Sequence, residues 1–187
     1  IHLALARSLA TAGDWGLSPG HFDNIASSPL WVLILAVGRF LLGDRLWLPL
    51  ALNLLIAALL LVTADRFLAR RHAGVGGRSF ALILLIFLTP LPALVVSGME
   101  HLLQTWLALI CFSALLRVIV RGRPLGTGTA LLAALMVSVR FEGLFLVAPA
   151  LLLLWRDRRR GAVLGLLAAA IAPVLITGII AASQGGS

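Results

Sequence analysis

Charged residues are few in this chain, 12% of 187 positions, against roughly 25% in soluble globular domains. That deficit excludes an ordinary water-soluble fold, and the mean hydropathy of +1.08 points the same way. Lysine is missing altogether, since all fifteen basic residues are arginine; nucleotide composition explains this better than a function does. The only cysteine, Cys111, lies in an apolar span, so neither an internal disulfide nor a thiolate metal site can be built. The net charge is +8, but nucleic-acid binding needs a basic surface on a soluble fold, and nucleic acid is excluded as a partner. No repeat of fixed period occurs, and nothing is low-complexity beyond the leucine and alanine richness that bilayers demand. No charged segment followed by an apolar core opens the chain, so no signal peptide is expected. With Ile1 at its start and Gln184-Gly185-Gly186-Ser187 at its end, the chain reads as an internal piece of a longer membrane protein.

What is present are uncharged runs at 46–64, 79–99 and 161–187, each near the ~20 residues that cross a hydrocarbon core as helix. Residues 101–116 complete a further span when 117–120 are added, because an arginine near a helix end can snorkel. The expected fold class is therefore all-α, a polytopic transmembrane helix bundle with a short helical hairpin and an external N-terminal loop. Residues 1–28 form the external amphipathic helix and loop, and 29–187 one transmembrane domain. Within the first part, His2–Ala12 reads as a helix and 13–28 as loop. Pro29–Leu42 is a short apolar helix carrying Arg39, lying along the outer interface or tilted. Ser27-Ser28-Pro29-Leu30-Trp31 supplies its cap, its initiating proline and an aromatic interfacial anchor.

The arginines set orientation. Arg66, Arg70, Arg71 and Arg78 form one cluster, Arg117, Arg121 and Arg123 a second, and Arg156, Arg158, Arg159 and Arg160 a third. Basic loops stay cytoplasmic, so all three belong on the inner face, and residues 97–101 fall on the outer one. The stretch 127–155 must then enter and leave on one side. It is a hairpin with Arg140-Phe141-Glu142-Gly143 at its tip. Each arm has about thirteen residues, or ~20 Å, too short for a ~30 Å core. An outer cavity descending to the tip resolves the shortfall, because non-helical backbone is tolerated at depth where it lines water or protein.

Arg140 and Glu142 are the sharpest functional candidates, because charges in a membrane-grade apolar stretch are costly and usually serve a purpose. Two readings stand side by side. The pair is a structural clasp for the hairpin, or Arg140 holds an anionic group that Glu142 helps to orient. Arginine suits phosphate, being always charged and bidentate. Glu100 and His101 sit where a span meets the outer face; the plain reading is a polar helix start with an acid facing the helix dipole. Asp14, His21, Asp23 and Asn24 lie in the loop, where solvated polar residues are ordinary. Gly74-Val75-Gly76-Gly77-Arg78 is a cytoplasmic turn, and Gly161 and Gly165 have the spacing of close helix contacts. Asp65, Arg66 and Asp157 are structural charges at helix ends.

The stretch from His2 to Gly38 resembles the GT-C superfamily of polyprenol-dependent membrane glycosyltransferases, where a Gly-rich external loop leads into a T/S-S-P-L-W helix start. Ser97-Gly98-Met99-Glu100 is similar to the family's S-G-L-E, and Arg140-Phe141-Glu142-Gly143 to its R-P-E-G. The three stretches occur in the family's order over roughly residues 2 to 160, closest to the bacterial mannosyl- and arabinosyltransferase-like branches. Phe141 and Met99 replace the usual proline and leucine. The family's first span and the acidic pair after it, which holds the usual catalytic base, would precede Ile1, so these residues alone are expected to be inactive. The resemblance implies an inner-membrane, multi-pass enzyme of the bacterial cell envelope. Its donor is a polyprenyl-phosphate sugar, and its acceptor a hydroxyl on a glycan, lipid or protein at the extracytoplasmic face. It also implies Arg140 on the donor phosphate and Glu100, Glu142 and Asp23 on sugar or acceptor, with His101 and His21 in the same substrate-binding set. No metal ligands are assigned, and a divalent cation is the one cofactor left open. The alternative is a membrane transporter or flippase for a lipid-linked or anionic solute.

Overall fold

The computed structural model describes residues 1–13, 15–16, 27–71 and 74–183. It is all-helical among them: α1 (His2–Ala12), α2 (Pro29–Leu42), α3 (Leu48–Ala69), α4 (Val75–Leu88), α5 (Leu91–Ser97), α6 (His101–Val120), α7 (Thr127–Val139), α8 (Gly143–Arg156) and α9 (Arg160–Ser183). Three of these, α3, α6 and α9, are long and apolar enough to cross a membrane. Large apolar side chains stay exposed along them, including Leu54, Leu55, Leu164 and Ile179, as a lipid solvent allows.

The run at 79–99, expected as one span, is broken. α4 and α5 are bent by 50° about Thr89-Pro90. Pro90 and Pro92 have no N–H for the helical ladder, and each ring crowds the preceding turn. Apolarity alone carries no trace of that. The glycine-rich stretch at 74–78 also departs from the expected turn. Gly74 is the N-cap and Val75 to Arg78 are the first turn of α4, fixed by an ion pair from Arg78 Nε to Asp65 Oδ1 of α3 at 2.9 Å.

The chain divides into two compact units. One is Leu46–Ile110; the other joins Ile1–Arg45 to Cys111–Ser187. In the first, α3, α4 and α5 pack on one another, and Trp106 Nε1 of α6 donates to Thr63 Oγ1 of α3 at 3.0 Å. In the second, α7 packs along α9, α8 against both, and α2 between α1 and α7.

The helix α2 buries a stripe of Trp31, Val32, Leu35, Ala36 and Arg39, the i, i+1, i+4, i+5, i+8 spacing of one helix face. Trp31 is thus fully buried and is no interfacial anchor, because α1 and α7 cover the face it shares. Ser28 occupies the N-cap position without capping; its Oγ instead meets His2 Nε2 at 2.9 Å and ties the start of α1 to that of α2. At the other end Arg39 is paired with Asp44, and Arg7 of α1 reaches the same carboxylate at 4.0 Å.

Candidate functional site

The hairpin is formed by α7 and α8, thirteen and fourteen residues long. Helical dihedrals stop at Arg140, which is extended at φ −153° and ψ 133°, and restart at Glu142, the N-cap of α8. Gly143 makes the tight reversal possible. A Cβ there would lie 3.1 Å from the Met136 carbonyl oxygen and 3.2 Å from the Val137 Cα, both backbone atoms of α7. Any side chain there would press on that backbone and push α8 away from its partner by a few tenths of an ångström.

Extending Arg140 turns its side chain back over Glu142. Arg140 Nη2 donates to Glu142 Oε1 at 2.8 Å, and Nε donates to Oε2 at 3.3 Å. The two-point fork fixes the plane of the guanidinium, a constraint that a single contact could not impose. The guanidinium side chain is 21% exposed and the carboxylate 53%, so the tip offers an oriented cation at an accessible surface. The two residues could not share a face within one helix; the break is what brings them together.

In the other unit, Glu100 directly precedes α6, and its carbonyl accepts from Gln104 N at 3.0 Å. It therefore lies just ahead of the first turn, which itself contains no acid. Its side chain is 1% exposed. His101 is half-buried at the first position of α6. The turn ahead of them is specific: Gly98 is left-handed at φ +67°, the usual device for ending a helix, and a Cβ there would press on Pro49 at 3.1 Å. Ser97 Oγ donates to Leu94 O at 2.7 Å. Asn53 of α3, fully buried, donates through Nδ2 to the carbonyls of Leu94, Val95 and Met99 at 3.2, 3.4 and 3.1 Å. Sequence reasoning passed over Asn53, although a lone amide in an uncharged apolar run was a visible signal.

The structure thus brings Arg140 and Glu142 together at one tip, and Glu100 and His101 at one helix start. His21 and Asp23, with Asp14 and Asn24, lie outside the described residues. Among the described residues no three His, Cys, Asp or Glu side chains gather into a metal-binding group. No step is assigned to a divalent cation. The spacing of Gly161 and Gly165 does not make a close helix contact: Gly161 faces open space, and Gly165 lies under the Leu125 side chain at 3.2 Å.

No protein-family model, curated protein or solved structure matches this chain.

Proposed function

We propose that this chain forms part of a membrane glycosyltransferase of the GT-C kind. It would move a sugar from a polyprenyl-phosphate donor to an acceptor hydroxyl on the extracytoplasmic face of a bacterial inner membrane. The observation that carries the reading is the oriented Arg140 guanidinium at the tip of a helical hairpin whose arms, at ~20 Å, stop short of a ~30 Å hydrocarbon core. The departing group of such a reaction is a phosphate that gains charge as the glycosidic bond breaks. A preorganised cation at that position lowers the barrier because it needs no reorientation as the charge develops. Glu142 holds the fork of Arg140 in plane. For Glu100 and His101, which belong to the other unit, a part in sugar or acceptor binding rests on the resemblance alone. None of these residues is assigned as the base that takes the acceptor proton.

The transport reading has one observation in its favour, the break between α4 and α5, since discontinuous helices build many transporter sites. The carbonyls at the end of α5, which would face a solute ion, are instead taken by Asn53.

The test uses the full-length protein in native membranes with a polyprenyl-phosphate sugar. Arg140→Lys should keep some donor binding and lose activity, because a point charge does not reproduce a bidentate fork. Arg140→Ala should accumulate normally and lose activity by about 10²-fold or more. If Arg140→Ala and Glu142→Ala both fail to accumulate, the pair is a clasp and the assignment falls. Solute uptake without sugar transfer would favour the transporter.

A further inference from the structure

At the opposite end of the hairpin from Arg140 lies an open cleft of about 840 Å³, lined by residues 124–127, Ala130, 158–162 and Gly165. We propose that this cleft seats the phosphate of an anionic phospholipid, gripped by Arg158 and Arg160 and by the first turns of α7 and α9. The proposal does not depend on whether the chain transfers sugars.

The three arginines of the cleft are not equivalent. Arg159 is already committed: its guanidinium donates to the carbonyls of Val118, Gly122 and Arg123. There it closes the C-terminal end of α6, where free carbonyls and the negative end of the helix dipole favour a cation. Arg158 and Arg160 are exposed and make no ion pair or side-chain hydrogen bond with another described residue. The only acid in this turn is Asp157, also exposed, against four arginines at 156 and 158–160.

Backbone donors meet these cations in the same place. Thr127 opens α7 and Arg160 opens α9, and both helix starts line the cleft. Arg160 N donates to Arg158 O and Thr129 N to Gly126 O, both at 3.0 Å; the N–H groups of Thr127, Gly128, Gly161 and Ala162 in these first turns have no intrahelical partner. α7 has no side-chain cap, and neither helix has an acid in its first turn. A Cβ at Gly126, Gly128 or Gly161 would meet nothing within 4 Å, so the backbone is open to close approach. Free N–H groups, two positive dipole ends and two uncommitted guanidinium groups together match the chemistry of a phosphate ester.

The backbone of Arg158 separates folding from binding. α8 ends in a Schellman turn, with Arg158 N bonded to Trp155 O and Arg159 N to Leu154 O, both at 3.0 Å. The C′ residue of that turn is left-handed and is usually glycine. Here it is Arg158 at φ +57°. An arginine in a position that glycine fills at lower cost is explained if its side chain is used. The apolar surface beside the cleft, with Leu131, Leu164 and Leu167 exposed, gives acyl chains a place to lie and favours a lipid over a soluble phosphate.

The experiment reconstitutes the full-length protein in phosphatidylcholine nanodiscs and titrates phosphatidylglycerol, with bound lipid read by native mass spectrometry. Arg158→Gly and Arg160→Gln should each weaken phosphatidylglycerol binding about fivefold, the contribution of one arginine near an anionic lipid surface. Arg158→Gly should meanwhile melt no lower than the parent in phosphatidylcholine alone, which shows that the fold is intact. Arg70→Gln, in a different arginine cluster, should bind as the parent does. Unchanged affinity in the Arg158→Gly/Arg160→Gln double variant would overturn the site, as would an equal loss in Arg70→Gln. Inorganic phosphate that binds in phosphatidylcholine discs with the same arginine dependence, and displaces phosphatidylglycerol, would overturn the lipid as the source.

Discussion

The side-chain amide of Asn53 donates to the carbonyl of Met99 at 3.1 Å, joining the second turn of α3 to the residue ahead of Glu100. The same nitrogen serves the Leu94 and Val95 carbonyls of α5, with only two hydrogens for three acceptors. Leu94 O also accepts from Ser97 Oγ at 2.7 Å and Val95 O from Gly98 N at 3.3 Å, and Asn53 ties the turn they close to α3.

Asn53→Leu should therefore lower stability by ~0.6–1.7 kcal/mol, the range for interhelical hydrogen bonds in a membrane. Asn53→Asp should cost more, because a carboxylate brings charge and has no N–H to donate. Unfolding of the purified full-length protein in a dodecyl sulfate titration measures both. A leucine variant as stable as the parent would mean that the turn before Glu100 holds without its brace.

Gly143→Ala should open the hairpin, because its new Cβ lands on α7 backbone that has no flexible end to give way. The expected loss is ~1–3 kcal/mol, as for other overpacked positions. Gly161→Ala, whose Cβ faces open space, should be neutral or slightly stabilising in the same assay. Equal effects at the two positions would contradict the close approach at the tip.

Asp44→Ala should destabilise more than Arg39→Leu. The Arg39 side chain is 8% exposed while Asp44 is 52% exposed, so removing the acid strands a buried guanidinium. The cost should be ~2 kcal/mol, below the ~3–5 of a fully buried pair because Asp44 is half in solvent. The Arg39→Leu/Asp44→Ala double variant should recover most of it. Additive losses in that cycle would show that the two groups do not depend on each other.

The arginine bias makes a prediction about sides. On a Cys111→Ala background, cysteines at Ser97 and Phe141 should react with an impermeant maleimide in intact cells. Cysteines at Gly74 and Arg121 should react only after lysis. Labelling of Ser97→Cys and Gly74→Cys from the same side would reject the arrangement.

The legible parts of this chain were those written in neighbouring residues. Pro29 marks the start of α2, and the bounds of α1 and α2 follow directly from the apolar pattern and the glycines behind it. Arg140 and Glu142 interrupt an apolar run, and the helices break at them. Asn53 and Arg159 stand out in the sequence, but their roles do not, because their partners lie 36 to 46 residues away and one amide or one arginine in a run carries no address. The bend at Pro90 was written locally but was outweighed by the uncharged length around it. Trp31 was misread for a related reason: the side chains that bury it come from distant elements.

Arg159 fastens the segment that leads into α7 to the segment that leaves α8. Both legs of the hairpin are therefore fixed at one end, and neither can slide along its axis without tearing three carbonyls from one guanidinium. The freedom left is rotation about that fixed end. With a ~20 Å arm, a rotation of about 5° carries the far end sideways by about 2 Å, which is comparable to making or breaking a hydrogen bond. Whatever meets Arg140 would then be approached by a swing, with Arg159 as its fulcrum.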